Sequence, residues 1–204
     1  ICKIRDSTHA TIIVPLSKKS LSQAAAQIVK GRLHPPVSIG HLAPDCRPAD
    51  AADSMAIQDA VHELLTTSGH GCVVGTKIGC TTKVMQEYLG MAHPCAGGIF
   101  DTTIQHGAGE FEFDTFLHVG VECEIAVRLG SPIRAAAAPH TIQSVSHSVM
   151  ALFPAIEIVD DRYVDFVARE PDWRTWVADD FFGAGIVLGE PVTDWRGLDL
   201  AAVR

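Results

Sequence analysis

Apolar positions recur at helical spacing twice early in the chain and at strand spacing further on. In Ser20–Leu33 the residues Ala24, Ile28 and Val29 share one face, and Ser20 or Ser22 stands where an N-cap belongs. Asp50–Ser68 is the clearer helix: Met55, Ile57, Val61, Leu64 and Leu65 make an apolar stripe, and Gly69 ends it. Between them, residues 34–48 carry Pro35, Pro36, Pro44 and Pro48 and read as a loop. The first 48 residues are therefore taken as an N-terminal helix and loop segment, and residues 49–204 as the main domain.

From Cys72 the period shortens. Cys72–Gly79 reads as a strand closed by glycine, Thr82–Leu89 as a short helix, residues 91–98 as a loop and Gly98–Ile104 as a strand. Glu110–Leu117 alternates Phe111, Phe113 and Thr115 against Glu110, Glu112 and Asp114, the pattern of a half-buried strand. Val121–Leu129 alternates more regularly still. Thr141–Phe153 is expected to be helical, Ala155–Val159 a strand, Asp172–Ala178 a short helix and Gly185–Leu188 a strand. Helices set early and between strands of mixed spacing predict an α+β domain around a curled sheet.

Composition narrows the function classes. A hydrophobic share of 47% against 20% charged residues argues for a packed core rather than disorder. The net charge of −8, with no basic run beyond Lys18-Lys19, argues against a nucleic-acid partner, which needs clustered cations. The longest apolar runs fall far short of a membrane span. Ile12–Leu16 is too brief for a secretory core, and charges follow it at once. Cysteines at 2, 46, 72, 80, 95 and 123 form no Cys-x-x-Cys pair, so reduced thiols and a cytoplasmic setting are expected.

Chemistry concentrates in three segments. In Val121-Glu-Cys-Glu-Ile-Ala-Val127, strand geometry puts Glu122 and Glu124 on one face, ~7 Å apart along the strand. That arrangement suits one ion, or simply a solvated polar face. Glu157, within Pro154-Ala-Ile-Glu-Ile-Val159, sits in a segment otherwise fit for burial, where a carboxylate needs a metal or an ion pair such as Arg162. Three carboxylates without His or Cys suit a hard divalent cation. Lys77 lies between Gly75 and Gly79 on an apolar strand. Glycine there implies that something, such as a substrate carboxylate at Gly79, approaches the backbone closely. Such a Lys serves as an acid–base group or a clamp, or snorkels from a sheet edge. Asp101 stands as a partner for the Lys or as a turn residue, and Arg162 as a substrate-carboxylate ligand or a partner of nearby acids. The ten His show no metal spacing, and no phosphate-loop or nucleophile motif occurs.

Six segments in order resemble the 2-keto-4-pentenoate hydratase family, a branch of the fumarylacetoacetase-like superfamily that includes 4-oxalocrotonate decarboxylases. They are Asp53-Ser-Met-Ala-Ile-Gln58, Val74-Gly-Thr-Lys-Ile-Gly79, Gln86-x-x-Leu-Gly90, Val121-Glu-Cys-Glu-Ile-Ala126, Pro154-Ala-Ile-Glu-Ile-Val-Asp-Asp-Arg162, and Ala178-Asp-Asp-Phe-Phe-Gly-Ala-Gly-Ile-Val-Leu-Gly189. The resemblance implies a mixed β-roll with N-terminal helices. Family chains continue past the point matching Arg204, so the roll is expected to lack its last strands. It implies Mg²⁺ or Mn²⁺ on Glu122, Glu124 and Glu157, with Lys77 and Asp101 shuttling protons. The implied reaction adds water to a 2-hydroxy-dienoate (a 2-oxo-enoate) to give a 4-hydroxy-2-oxo acid. The alternatives are decarboxylation of a 2-oxo-enedioate, C–C hydrolysis of an acylpyruvate, and an inactive paralogue. Where family chains read Ala-Asp-Asn followed by serines, this chain has Asp179-Asp-Phe-Phe-Gly183. Family habit also implies a homo-oligomer acting on a small acid, with neither nucleic acid nor membrane as partner.

Overall fold

The computed structural model describes residues 15–203, apart from 166 and 169; Cys2 and most of the Ile12–Leu16 run lie outside the described residues. Two long helices open it. Helix α1 (Lys18–Arg32) is capped by Ser17, whose hydroxyl accepts from the Ser20 N–H, so the cap falls ahead of both serines expected from the sequence. Helix α2 (Ala51–Thr67) is capped by Asp50, which accepts from the Asp53 N–H. The α2 stripe is narrower than its pattern implied: Ile57, Val61 and Leu65 are fully buried, whereas Met55 turns outward.

An antiparallel hairpin follows, β1 (Val73–Gly79) and β2 (Cys95–Phe100), bridged by helix α3 (Lys83–Leu89). A four-stranded sheet is built from β3 (Ile104–His106), β4 (Val119–Leu129), β5 (Val149–Asp160) and β6 (Gly183–Leu188), in the order β3-β6-β5-β4. Its β3–β6 pair is parallel and the others antiparallel, so the fold is a mixed α+β one. Helix α4 (Ile142–Ser148) leads into β5, and helix α5 (Trp173–Ala178) precedes β6. Ala24, Ala25 and Ile28 of α1, Ile57, Val61 and Leu65 of α2, Phe100 of β2 and Trp176 of α5 share one apolar cluster. The boundary expected after residue 48 therefore does not divide two cores.

Three local expectations give way to tertiary pairing. Residues 149–153 were expected to continue a helix, but α4 stops at Ser148 and the chain becomes β5, paired with β4 along its length. The apolar run from Val149 to Phe153 fits either state by period alone, and the long partner strand decides it. The Glu110–Leu117 alternation forms no strand; Phe113–Thr115 is a 3₁₀ turn, with Phe113 facing solvent. Strand β2 begins at Cys95, inside the expected loop, and ends at Phe100 before a turn at Asp101–Thr103. Residues Val121, Cys123, Ile125 and Val127 do share a face of β4, but that face is exposed in the described residues.

Candidate functional site

The β4–β5 register sets Glu122 directly opposite Glu157 and Glu124 opposite Ala155, one step along the same face. One carboxylate oxygen from each of Glu122, Glu124 and Glu157 can be chosen so that all three lie within 4.8 Å of one another. Glu122 and Glu124 face solvent, whereas Glu157 is buried, as its apolar neighbours required. Burial pushes the Glu157 carboxyl above its ordinary range. The Lys77 ammonium opposes that rise, and Glu122 and Glu124 add to it.

Lys77 comes to the cluster from the hairpin. Its Nζ donates to Glu157 Oε1 and, at 2.9 Å, to the Phe181 carbonyl. Three carboxylates against one ammonium leave two negative charges uncompensated within the group. An all-oxygen donor set of this charge fits a hard divalent cation such as Mg²⁺, and lacks the nitrogen and sulfur ligands that favour zinc. The glycines beside Lys77 admit the protein's own chain. A Cβ at Gly97, opposite Lys77, would meet the Asp180 Cα at 2.8 Å. One at Gly79 would meet Cys95 Sγ at 3.1 Å and the Phe181 ring at 3.3 Å. Phe181 and Cys95 thus make close approaches at Gly79. Burial pushes the Cys95 thiol up to about 11, with Cys80 adding to the rise and Lys77 opposing it.

Two other expected site residues have different partners. Asp101 lies four residues along β2 from the position opposite Lys77, ~13 Å at strand rise. Its Oδ1 accepts from the Cys72 N–H at 3.0 Å, closing the turn beyond the hairpin rather than reaching Lys77. Arg162 is buried and already engaged: Nη1 donates to Asp179 Oδ2 at 2.9 Å and Nη2 to the Gly183 carbonyl at 2.9 Å. Arg162 thus takes the second of the two roles its sequence allowed, a partner of nearby acids.

Around it lies a buried ionic cluster that the sequence reading missed. Asp179 and Asp180 are fully buried. Arg32 at the end of α1 donates through Nη1 to Asp180 Oδ2 at 2.7 Å, with Asp179 Oδ1 at 3.3 Å, and through Nη2 to the Gly183 carbonyl at 3.0 Å. Asp180 Oδ1 accepts from the Gly98 N–H at 2.7 Å and lies 2.6 Å from His62 Nε2, while the Tyr163 hydroxyl donates to Asp179 at 3.0 Å. The signal was present: two adjacent acids between Trp176-Val-Ala178 and Phe181-Phe182 pose the same burial problem as Glu157. A cavity of about 410 Å³ lies against Arg32, Arg162, Asp160, His34 and His70, and does not reach the Glu cluster.

The described chain has the fold of 4-oxalocrotonate decarboxylase. That enzyme from Pseudomonas putida G7, solved in complex with magnesium and adipate, superposes with a TM-score of 0.81 at 22% identity, over 92% of this chain and 69% of its own. No family model matches the sequence. A 2-keto-4-pentenoate hydratase of Burkholderia vietnamiensis is 34% identical over 166 residues, which are 81% of this chain and 61% of that one. A 4-oxalocrotonate decarboxylase of a Pseudomonas species is 30% identical over 130 residues, 62% of this chain and 48% of its own. The chain is thus a relative of the 2-keto-4-pentenoate hydratases and 4-oxalocrotonate decarboxylases, and it spans about half to three-fifths of the length of these two proteins.

Proposed function

We propose that the chain carries the metal-binding and proton-transfer residues of a divalent-cation-dependent hydro-lyase. It would add water to a 2-hydroxy-dienoate to give a 4-hydroxy-2-oxo acid. The observation that carries this reading is the convergence of Glu122, Glu124 and Glu157 beside Lys77 on one sheet face. The three carboxylates would hold Mg²⁺, or Mn²⁺ in its place. A bound cation supplies positive charge against the oxygens of a 2-oxo carboxylate, which favours their enolate form. The 34% identity to a hydratase supports water addition ahead of the decarboxylase alternative.

The chain's own part in the chemistry falls to Lys77. Its Nζ is held by Glu157 and the Phe181 carbonyl at the edge of the cluster, with its charge fixed in place. From there it would give a proton to a substrate carbon as the dienol ketonises and take one back from the water that adds. The dienol hydroxyl proton passes to solvent, and solvent protonates the carbon next to the new hydroxyl. Arg162, which holds Asp179 and the Gly183 carbonyl, and Asp101, which closes the turn beyond the hairpin, are given no part in that step. The reading also takes the mixed sheet to be part of a β-roll, and the working enzyme to be a cytoplasmic homo-oligomer. Among the described residues no helix is long and apolar enough to cross a membrane.

Purified protein should consume 2-hydroxypenta-2,4-dienoate, followed by its ultraviolet absorbance, with Mg²⁺ and not with chelator. Lys77→Met should lower kcat by about a hundredfold or more, the usual size of acid–base catalysis, while Mg²⁺ binding persists. Turnover unchanged in that variant would remove Lys77 from the chemistry. Carbon dioxide release from 2-oxo-3-hexenedioate would reassign the protein to the decarboxylases.

A further inference from the structure

Asp180, Phe181 and Phe182 all adopt the left-handed region, with φ of 54°, 48° and 70°. None is glycine, and each such residue costs about 1 kcal/mol or more. Consecutive strained residues persist only where their surroundings over-determine them. Here both ends of the turn are clamped. At the front, Asp180 is held by Arg32 from α1, His62 from α2 and the Gly98 N–H from β2. At the back, the Gly183 carbonyl accepts from Arg32 and Arg162. Gly97 lets the Asp180 backbone lie against β2, where a Cβ would collide with it. Between the clamps, the turn presents the Phe181 carbonyl to Lys77 at 2.9 Å.

We infer that His62, acting through Asp180, is a positioning residue for Lys77. The inference rests on the reading of Lys77 as the proton carrier. Asp180 Oδ1 receives the Gly98 N–H on one side, and His62 Nε2 supplies the second donor to the same oxygen. The imidazole is wedged against the hairpin: it meets the Phe100 ring edge to face at 5.5 Å, and a Cβ on Gly98 would lie 2.7 Å from it. Removing its N–H loosens the Asp180 carboxylate, and with it the turn that aims the Phe181 carbonyl. Lys77 then keeps one acceptor, Glu157, and loses the second that fixes its direction.

The test compares His62→Phe, which keeps the ring but not the donor, with His62→Gln, which keeps a donor. The first readout needs no turnover: acetic anhydride labels exposed amines, and mass spectrometry follows Lys77 relative to Lys18 and Lys19. Expected for His62→Phe is a several-fold faster acetylation of Lys77. A fall in kcat of about tenfold should accompany it, the size carried by one hydrogen bond to a charged group, with KM and Mg²⁺ affinity within about twofold. His62→Gln should recover most of both. If His62→Phe does not fold, Asp180→Asn takes its place with the same expected labelling. Unchanged Lys77 labelling and kcat in a folded variant, whatever its melting temperature, would overturn the inference. Should Lys77→Met retain full turnover, the reading of Lys77 falls instead, and the labelling still decides whether His62 positions it.

Discussion

Glu157→Gln is expected to weaken Mg²⁺ binding by about a hundredfold or more while leaving the sheet intact. Glutamine has the same shape, so the Glu122–Glu157 register and the strand pairing on both sides of β5 are kept. What goes is one full negative charge at the buried end of the cluster. At an effective dielectric near 20, a unit charge pair ~4 Å apart is worth about 4 kcal/mol, and about 3 kcal/mol suffices for a hundredfold. Glu124 is exposed and its charge is better screened, so Glu124→Gln should cost less affinity than Glu157→Gln. Titration calorimetry on the parent and both variants measures this directly. Equal Mg²⁺ affinity in the parent and Glu157→Gln would move the cation away from these three residues. The same substitution also exchanges the carboxylate that Lys77 Nζ pairs with for a neutral amide oxygen, so kcat should fall together with affinity.

The second large effect concerns stability. Asp179 is fully buried beside Arg162 at 2.9 Å, Arg32 at 3.3 Å and the Tyr163 hydroxyl at 3.0 Å. Burial and the Asp179 charge push the Tyr163 hydroxyl well above its usual value, so it stays a neutral donor. Asp179→Ala strips two buried guanidinium groups of a shared anion, a loss of about 3–5 kcal/mol that rivals the whole stability of a small domain. Urea denaturation should show a midpoint far below the parent, or no folded baseline. A shift under 1 kcal/mol would mean that water or Asp180 takes over the charge.

Asp180 adds an acid limb to that stability. Burial works against its charge, yet the His62 hydrogen bond, the Arg32 charge and the Gly98 N–H hold the carboxyl below its ordinary 3.8. A depressed folded value means the unfolded chain binds the proton more readily. The stabilisation is therefore complete above about pH 4 and drains away as pH falls through the lower folded value. Across an acid titration, the stability gap between the parent and Asp180→Asn should close below that range. A constant gap would show that the Asp180 charge is not what the clamp depends on.

Much of the site could be read from local pattern, because strand geometry alone puts alternate residues on one face. Glu122 and Glu124 had to share a side of β4, and Glu157 had to find a partner in an apolar strand. The same rule applied to Asp179 and Asp180 would have exposed the second cluster, but one of its cations, Arg32, comes from 148 residues away. For Arg162 and Asp101 the sequence left two roles open each, for a related reason. Whether a polar group is free for a ligand depends on its tertiary partners, and neither residue's neighbours in sequence revealed them.

The amino-acid pattern by itself determined the two N-terminal helices, the strand character of β1, β4 and β6, the set of carboxylates and the lysine, since each follows from period and burial cost over a few residues. Only the tertiary structure decided that residues 149–153 extend β5, that the Glu110–Leu117 alternation forms no strand, and that a left-handed turn held by Arg32, His62 and Arg162 delivers the Phe181 carbonyl to Lys77. The physical reason is plainest for residues 149–153. A short apolar run fits either a helix or a strand within about a kilocalorie per mole per residue, and the balance is tipped by the long-range partner with which it pairs or packs.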